Sequence, residues 1–288
     1  MTTAAAPHAI PIVTGVAPLS PGTEAWICDI WGVVHNGLAA FAPAVEACRR
    51  FRAGGGTVLL LTNAPRPAAA IVTQLDKLAV PHDAYDAVLT SGDLTRGLIA
   101  EHRARPMLHL GPDRDRGLYD GVAVRLVEAA DAEVVICSGL YDDNHETAED
   151  YRERLVALAA RSALMVCANP DVTVARGERV IPCAGAVAKL YEDVGGRVIY
   201  AGKPYLPVYA RAFEMIAAAR GRPVAAEKVL AIGDGLRTDM LGAANAGLPA
   251  LFVASPVHFS GALTQASLAR AFADAKRMPV AAMSGLAW

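Results

Sequence analysis

Trp26-Ile27-Cys28-Asp29-Ile30-Trp31-Gly32-Val33-Val34 is the stretch that decides the fold. An apolar run that ends in an acid and then a glycine has the pattern of a buried parallel strand at its carboxyl end, the edge at which open α/β sheets bind ligands. Asp29 is thereby a candidate nucleophile. Acids also stand at strand ends as helix caps and turn formers, so the chemistry depends on what else converges there.

Three further segments close in a similar way. Thr57-Val58-Leu59-Leu60-Leu61 runs into Thr62-Asn63, with Pro65 and Pro67 beyond. A hydroxyl and backbone amides at a strand end can hold a phosphate oxygen. In Tyr200-Ala201-Gly202-Lys203-Pro204 an ammonium follows a short apolar strand, where it can neutralise charge at the same sheet edge. Val229-Leu230-Ala231-Ile232-Gly233-Asp234-Gly235-Leu236-Arg237-Thr238-Asp239 carries a buried strand into a glycine-flanked acid, and a second acid stands five residues on. With Asp29, these acids supply the hard oxygen ligands and negative charge that Mg²⁺ prefers.

In this order and spacing the four segments resemble the aspartate-nucleophile hydrolases of the haloacid dehalogenase superfamily, and within it the class IIA phosphatases. Asn169-Pro170-Asp171 and the helix start at Gly185-Ala186-Val187, both ahead of Gly202-Lys203-Pro204, look like that class too. The resemblance covers nearly all of the chain after about residue 20. It implies an α/β fold with a Rossmann-like, doubly wound parallel-sheet core and an inserted α/β cap of the C2 type. It further implies Asp29, Thr62 and Lys203 as catalytic residues, and Mg²⁺ held by Asp29, Asp234 and the backbone carbonyl of Trp31. Asp239 would fix metal waters or Lys203. Gly32, Asn63, Asp171 and Arg176 would contact substrate, with Arg179 a further cation on the loop from Asp171 that reaches toward it.

The alternation of short apolar runs with amphipathic stretches agrees, since it argues for βαβ units and a mainly parallel sheet. Pro43 opens a helix through about Ala53, and Gly54-Gly55-Gly56 stops it; without a following Gly-Lys pattern these glycines are no phosphate loop. Strands are expected at Met107–Leu110, Glu133–Cys137 and Leu164–Cys167, with Thr147-x-x-Asp150 capping the helix between the last two. Because the lysine and the second acid segment come after this block, the nucleophile domain must be discontinuous. The expected division is a tail over 1–20, a core over 21–85 and 198–288, and a cap over 86–197.

At 288 residues the chain has room for two domains. A net charge of −2 argues against a nucleic-acid partner, and no apolar run approaches the ~20 residues needed to cross a bilayer. The amino-terminal segment has no basic leader, and five cysteines without Cys-x-x-Cys spacing read as buried thiols of a cytoplasmic protein. Apolar positions serve core and interface alike, so the sequence specifies no oligomeric state.

Trp31 departs from the phosphatase pattern. An acid at this position in the superfamily's usual phosphatases protonates the leaving oxygen and later activates water. An indole does neither, since its N–H is a donor of negligible acidity. General acid–base help is worth ~10²–10⁴-fold, or about 3–5 kcal/mol of barrier. His35, six residues after Asp29, is a candidate substitute. Dehalogenases of the superfamily also place an aromatic here, but they need no metal, and the intact Gly-Asp-x-x-x-Thr-Asp segment and the large cap speak against that chemistry. Phosphonate cleavage would want a Schiff-base lysine, and Lys189 reads as helical. The expected function is a Mg²⁺-dependent phosphatase of a small phosphorylated metabolite, plausibly a sugar phosphate. The alternatives are a phosphoryl-ligand sensor that has lost turnover and a phosphotransferase.

Overall fold

The computed structural model describes residues 9–176, 179–255, 259 and 261–288. Its strands are β1 (Ala25–Asp29), β2 (Thr57–Thr62), β3 (Ala87–Thr90), β4 (Met107–Leu110), β5 (Val134–Cys137), β6 (Leu164–Cys167), β7 (Thr173–Arg176), β8 (Arg179–Pro182), β9 (Arg197–Tyr200), β10 (Val229–Gly233), β11 (Ala250–Val253) and β12 (Ala281–Met283). Six of them form one sheet in the order β12-β11-β10-β1-β2-β3. From β1 the chain winds outward one way through β2 and β3, and the other way through β10, β11 and β12. The winding therefore reverses between β1 and β10, the kind of switch point at which α/β sheets hold ligands. β1 and β10 pair in parallel with Cys28 opposite Ile232, which sets Asp29 and Asp234 at neighbouring carboxyl ends. The fold is the expected doubly wound α/β sheet.

Between β3 and β10 the chain builds a second parallel sheet, β4-β5-β6-β9, and an antiparallel hairpin of β7 and β8. Here β9 differs from expectation. The strand that leads to Lys203 was expected at the edge where Asp29 emerges, yet it pairs with β6. Val198 and Tyr200 pack on the apolar cluster that includes Met165 and Cys167. Four residues, Arg-Val-Ile-Tyr, carry too little pattern to choose between two sheets.

The chain divides into two compact units. The first comprises the residues through Leu60, Leu78–Ala87 and Phe213–Trp288. Its central strand β1 is buried along its whole length, and Trp26 stacks on Phe51 with ring centroids 4.1 Å apart. Phe51 comes from the helix Ala42–Ala53, which Pro43 opens and Gly54 ends. A Cβ on Gly56 would lie 2.4 Å from the Phe51 ring, so the last glycine of the run is there for close approach.

Leu61–Lys77 and Val88–Ala212 form the second unit. Neighbouring strand residues point to opposite faces, and both faces of its sheet are covered. Val135, Cys137, Met165 and Cys167 join one buried cluster with Tyr191. Val134, Ile136, Val166 and Ala168 join another with Ile99. Tyr191 lies in the helix Ala184–Asp193 and donates its hydroxyl proton to the Ala163 carbonyl at 2.7 Å. All five cysteines are free and buried, and burial pushes the Cys137 thiol up to about 12. No helix of the described residues is long and apolar enough to cross a membrane.

Beyond β4, Asp115 is buried, and that burial raises its carboxyl pKa in spite of the Ser138 hydroxyl and the Arg114 and Arg66 charges. A folded-state value above the unfolded one means that the native chain binds the extra proton, so stability falls as pH rises from about 4 through the raised pKa. Asp115→Asn should remove this loss. Urea denaturation across pH is expected to show the variant more stable than the parent at pH 7, with the gap closing as pH falls toward 4.

Candidate active site

Two groups of polar side chains stand at strand ends, one in each unit. In the first unit Asp29 ends β1, Asp234 follows β10, and Asp239 lies in the single π-helical turn Leu236–Met240. All three are buried, and each offers a carboxylate oxygen within 4.8 Å of the others. Asp239 is turned inward by its own loop, accepting from the Gly235 N–H at 3.1 Å and the Thr238 hydroxyl at 3.4 Å. The glycines are explained by the acids. A Cβ on Gly233 would come 2.2 Å from Asp239 Cγ, and one on Gly32, whose φ is +83°, would come 2.0 Å from Asp234 Oδ2. Several buried carboxylates this close repel strongly unless a cation lies among them. Hard oxygens converging in a cradle that a single Cβ would fill fit a divalent metal ion, which Asp29, Asp234 and Asp239 would hold.

Beyond Asp29 the backbone folds into a tight turn. The Val34 N–H donates to the Ile30 carbonyl at 2.8 Å, Gly32 N–H to the His35 carbonyl at 2.8 Å, and Phe41 N–H to the Val34 carbonyl at 2.8 Å. Trp31 is a wedge in this turn. Its ring meets His35 edge-on at 5.5 Å. Gly37, with φ +86°, lies so close that a Cβ would be 2.4 Å from the indole. The indole N–H is buried with no hydrogen-bond partner among the described residues. His35 is buried as well, and Nδ1 accepts the Gly37 N–H at 3.0 Å. Burial lowers its pKa. Nδ1 is thus committed to the turn, and the proton that a general acid must supply is disfavoured.

The second group lies in the other unit. Thr62 ends β2, and its hydroxyl oxygen accepts the Ala64 N–H at 3.2 Å. Next to it Asn63, 4 % exposed, is held on all sides. Its Nδ2 donates to Asp171 Oδ1 at 2.9 Å and to the Lys203 carbonyl at 3.1 Å. Its Oδ1 accepts the Lys203 N–H at 2.8 Å and the Ser91 hydroxyl at 3.3 Å. The Lys203 ammonium, buried with its residue, reaches the Leu61 carbonyl at 3.5 Å. An amide has two donor hydrogens and two acceptor positions, so Asn63 has none left for a ligand. These four bonds engage the side chain alone and leave the expected contact of the backbone amides at this strand end with a phosphate oxygen where it stood.

Of the other expected residues, Asp171 joins this second group through Asn63. The stretch from Asp171 to Arg179, read as a loop, contains the first strand of the β7–β8 hairpin, with Arg176 opposite Arg179. The Arg176 side chain lies outside the described residues. Arg179 is exposed and donates to the Asn144 carbonyl at 3.0 Å. Ser91 and Ser255 escaped the sequence reading. Ser91 follows β3, and Ser255 lies just past β11, 3.0 Å from where a Gly32 Cβ would stand. Each sits in a short polar stretch after an apolar run, the same signal that singled out Thr62.

Two family models match the chain, haloacid dehalogenase-like hydrolase over residues 26–125 and HAD-hydrolase-like over 200–275. A crystal structure of a haloacid dehalogenase-like hydrolase from Brucella suis 1330 is 44 % identical, covers 95 % of this chain and 99 % of its own, and superposes with a TM-score of 0.84. The chain belongs to the haloacid dehalogenase-like hydrolase family. Among its relatives, ribonucleotide monophosphatase NagD of Escherichia coli K12 is 25 % identical over 236 residues, which make up 80 % of this chain and 87 % of that protein. The glycerol phosphate phosphatase of Mycobacterium tuberculosis, solved in complex with calcium, is 25 % identical over 82 % of this chain and 68 % of its own, with a TM-score of 0.61.

If Gly32 is the wall of the metal cradle, Gly32→Ala should displace the Asp234 carboxylate and, because of its positive φ, strain the turn. Asp234→Asn removes one charge without that strain. Calorimetric titration with Mg²⁺ or Ca²⁺ is expected to show weaker binding by at least ~10-fold for both variants, about 1.4 kcal/mol or more. Unchanged affinity in Asp234→Asn would place the cation elsewhere.

Proposed function

We propose that this chain is a Mg²⁺-dependent phosphatase acting on small phosphorylated metabolites, plausibly sugar phosphates, through an aspartyl phosphate on Asp29. The observation that carries the proposal is the buried cluster of Asp29, Asp234 and Asp239 at the point where the sheet reverses its winding. Relatives named as phosphatases of a ribonucleotide and of glycerol phosphate support a phosphate monoester as substrate. The buried free thiols suit a cytoplasmic protein.

In the proposed reaction the Asp29 carboxylate attacks phosphorus in line, and the bond from phosphorus to the ester oxygen breaks. When bound, Mg²⁺ would offset the repulsion between that carboxylate and the phosphate dianion and orient the phosphorus. Thr62 and Lys203 are assigned to the equatorial oxygens, on the order of their segments and their place at strand ends. The departing oxygen takes its proton from solvent, since Trp31 has none to give and burial lowers the His35 pKa, disfavouring its charged form. Water then attacks the aspartyl phosphate, releasing inorganic phosphate and the free Asp29 carboxylate. The block 86–197 would act as the substrate-selecting cap, with Arg176 and Arg179 on its hairpin and Asp171 just ahead of it.

Trp31 favours slow turnover, and with it the second reading of a phosphotransferase or sensor. A leaving group of low pKa departs without protonation, whereas a sugar alkoxide does not. Nitrophenyl phosphate should therefore give a burst followed by slow release, with a phosphoenzyme that acid quenching traps. Asp29→Asn should abolish both. Fast, burst-free hydrolysis of alkyl phosphates by the parent protein would rule this scheme out.

Trp31→Asp should quicken the second step and help alkyl more than aryl esters. It also empties the wedge against Gly37 and His35 and should cost about 3 kcal/mol of stability. Arg176→Ala tests the cap assignment separately. It should reorder the preferred phosphorylated metabolites while changing nitrophenyl phosphate hydrolysis little, because an aryl phosphate needs scant recognition beyond its phosphoryl group. Equal losses on both kinds of substrate would show that the hairpin does not select substrate.

A further inference from the structure

We infer that Asn63 is a positioning residue that fixes the backbone of Lys203 and ties it to Asp171. This deepens the proposed function and rests on its assignment of Lys203 to the phosphoryl group. The Asn63 amide engages both main-chain groups of a single residue: the Lys203 N–H donates to Oδ1 at 2.8 Å and the Lys203 carbonyl accepts from Nδ2 at 3.1 Å. That is the two-point pairing of one strand residue with another, supplied by a side chain. Its orientation is settled by the partners, because a backbone N–H can only donate and a carbonyl can only accept.

The remaining donor and acceptor anchor the amide. Nδ2 also donates to Asp171 Oδ1 at 2.9 Å, and the Ser91 hydroxyl donates to Oδ1 at 3.3 Å. Asp171 is itself held, its N–H donating to Asn169 Oδ1 at 3.1 Å and its carbonyl accepting the Gly185 N–H at 3.1 Å. Two glycines make room. A Cβ on Gly202 would lie 2.2 Å from Ser91 Oγ and 2.6 Å from Asn63 Oδ1, and one on Gly185 would lie 2.5 Å from the Asp171 carbonyl. Segments after β2, β3 and β6 thus converge on the Asn63 amide that holds the Lys203 backbone. The lysine is aligned twice by the end of β2, at its backbone by Asn63 and at its ammonium by the Leu61 carbonyl.

The consequence is specific. Lysine has a long flexible stem, and its value as a charge clamp depends on where the stem starts. Losing the Asn63 amide removes its two bonds to the Lys203 backbone and frees that starting point. Asn63 acts on the phosphoryl group through Lys203, so with nitrophenyl phosphate, which needs scant recognition by the cap, its removal should cost little further once the ammonium is gone.

The test is a double-mutant cycle on the full chain with Mg²⁺ and nitrophenyl phosphate, comparing the parent, Asn63→Ala, Lys203→Ala and the double variant. Asn63→Ala is expected to lower kcat by up to ~10²-fold, the scale of a misplaced catalytic group. The double variant should match Lys203→Ala within about twofold. Multiplying losses would show that Asn63 touches the substrate itself, and an unchanged kcat in Asn63→Ala would show that it positions nothing; either overturns the inference. Should Asn63→Ala fail to fold, Asn63→Asp keeps the volume and the Oδ1 contact, sets an acceptor against the Lys203 carbonyl, and enters the same cycle. Should the parent hydrolyse no phosphate ester, the proposed function fails, and crystal structures of the parent and Asn63→Asp still decide. A displaced Lys203 backbone supports the positioning role, and one left in place refutes it.

Discussion

Mutual repulsion among the three carboxylates of Asp29, Asp234 and Asp239 is the constraint around which this protein is arranged. Like charges about 4 Å apart cost each other ~4 kcal/mol at an effective dielectric of 20, and burial removes the water that would relieve them. A sheet whose winding reverses between β1 and β10 brings Asp29 and Asp234 together whether or not the charges suit it. The loops answer locally. Asp239 is restrained by the amide of Gly235 and the hydroxyl of Thr238, and Gly32 and Gly233 withdraw their bulk so that carboxylate oxygens can occupy the space. Three hard oxygens converging at one buried point are the ligand set a divalent ion takes, so the cluster reads as a cation site.

Asp29 and Asp234 were legible in the sequence because each ends an apolar run, and Asp239 by its spacing from Asp234; burial of parallel strands on both faces makes such runs hard to mistake. Pro43 and the glycines after Ala53 marked their helix for the same kind of reason, a residue type whose backbone restricts what can follow. The sheet to which β9 belongs was not legible. Arg197–Tyr200 has no alternation long enough to reveal a partner, and its place is set by Val198 and Tyr200 meeting the cluster around Met165. Nor could the role of Asn63 be read from its neighbours in the chain. Its partners are 28, 108 and 140 residues away, and only the fold shows that its amide is fully engaged.

Trp31 and His35 show how a position is read differently once its packing is known. From the sequence, Trp31 is a missing acid and His35 a candidate replacement. In the structure both belong to one turn, the indole wedged on Gly37 and the imidazole nitrogen accepting the Gly37 N–H. Position 31 is thus occupied by a packing residue of the turn that follows Asp29.

Gly37 shows how closely the turn is fitted to the indole. With a φ of +86° and an indole where its Cβ would be, it is a residue shaped to the tryptophan. A lineage that replaced Trp31 by an acid in one step would inherit a void beside a glycine whose special conformation no longer served packing. A lineage that first filled Gly37 would drive a side chain into the ring. The two positions are therefore coupled by contact: while the indole is in place Gly37 admits no side chain, and once it is removed the constraint on Gly37 is that of its backbone alone.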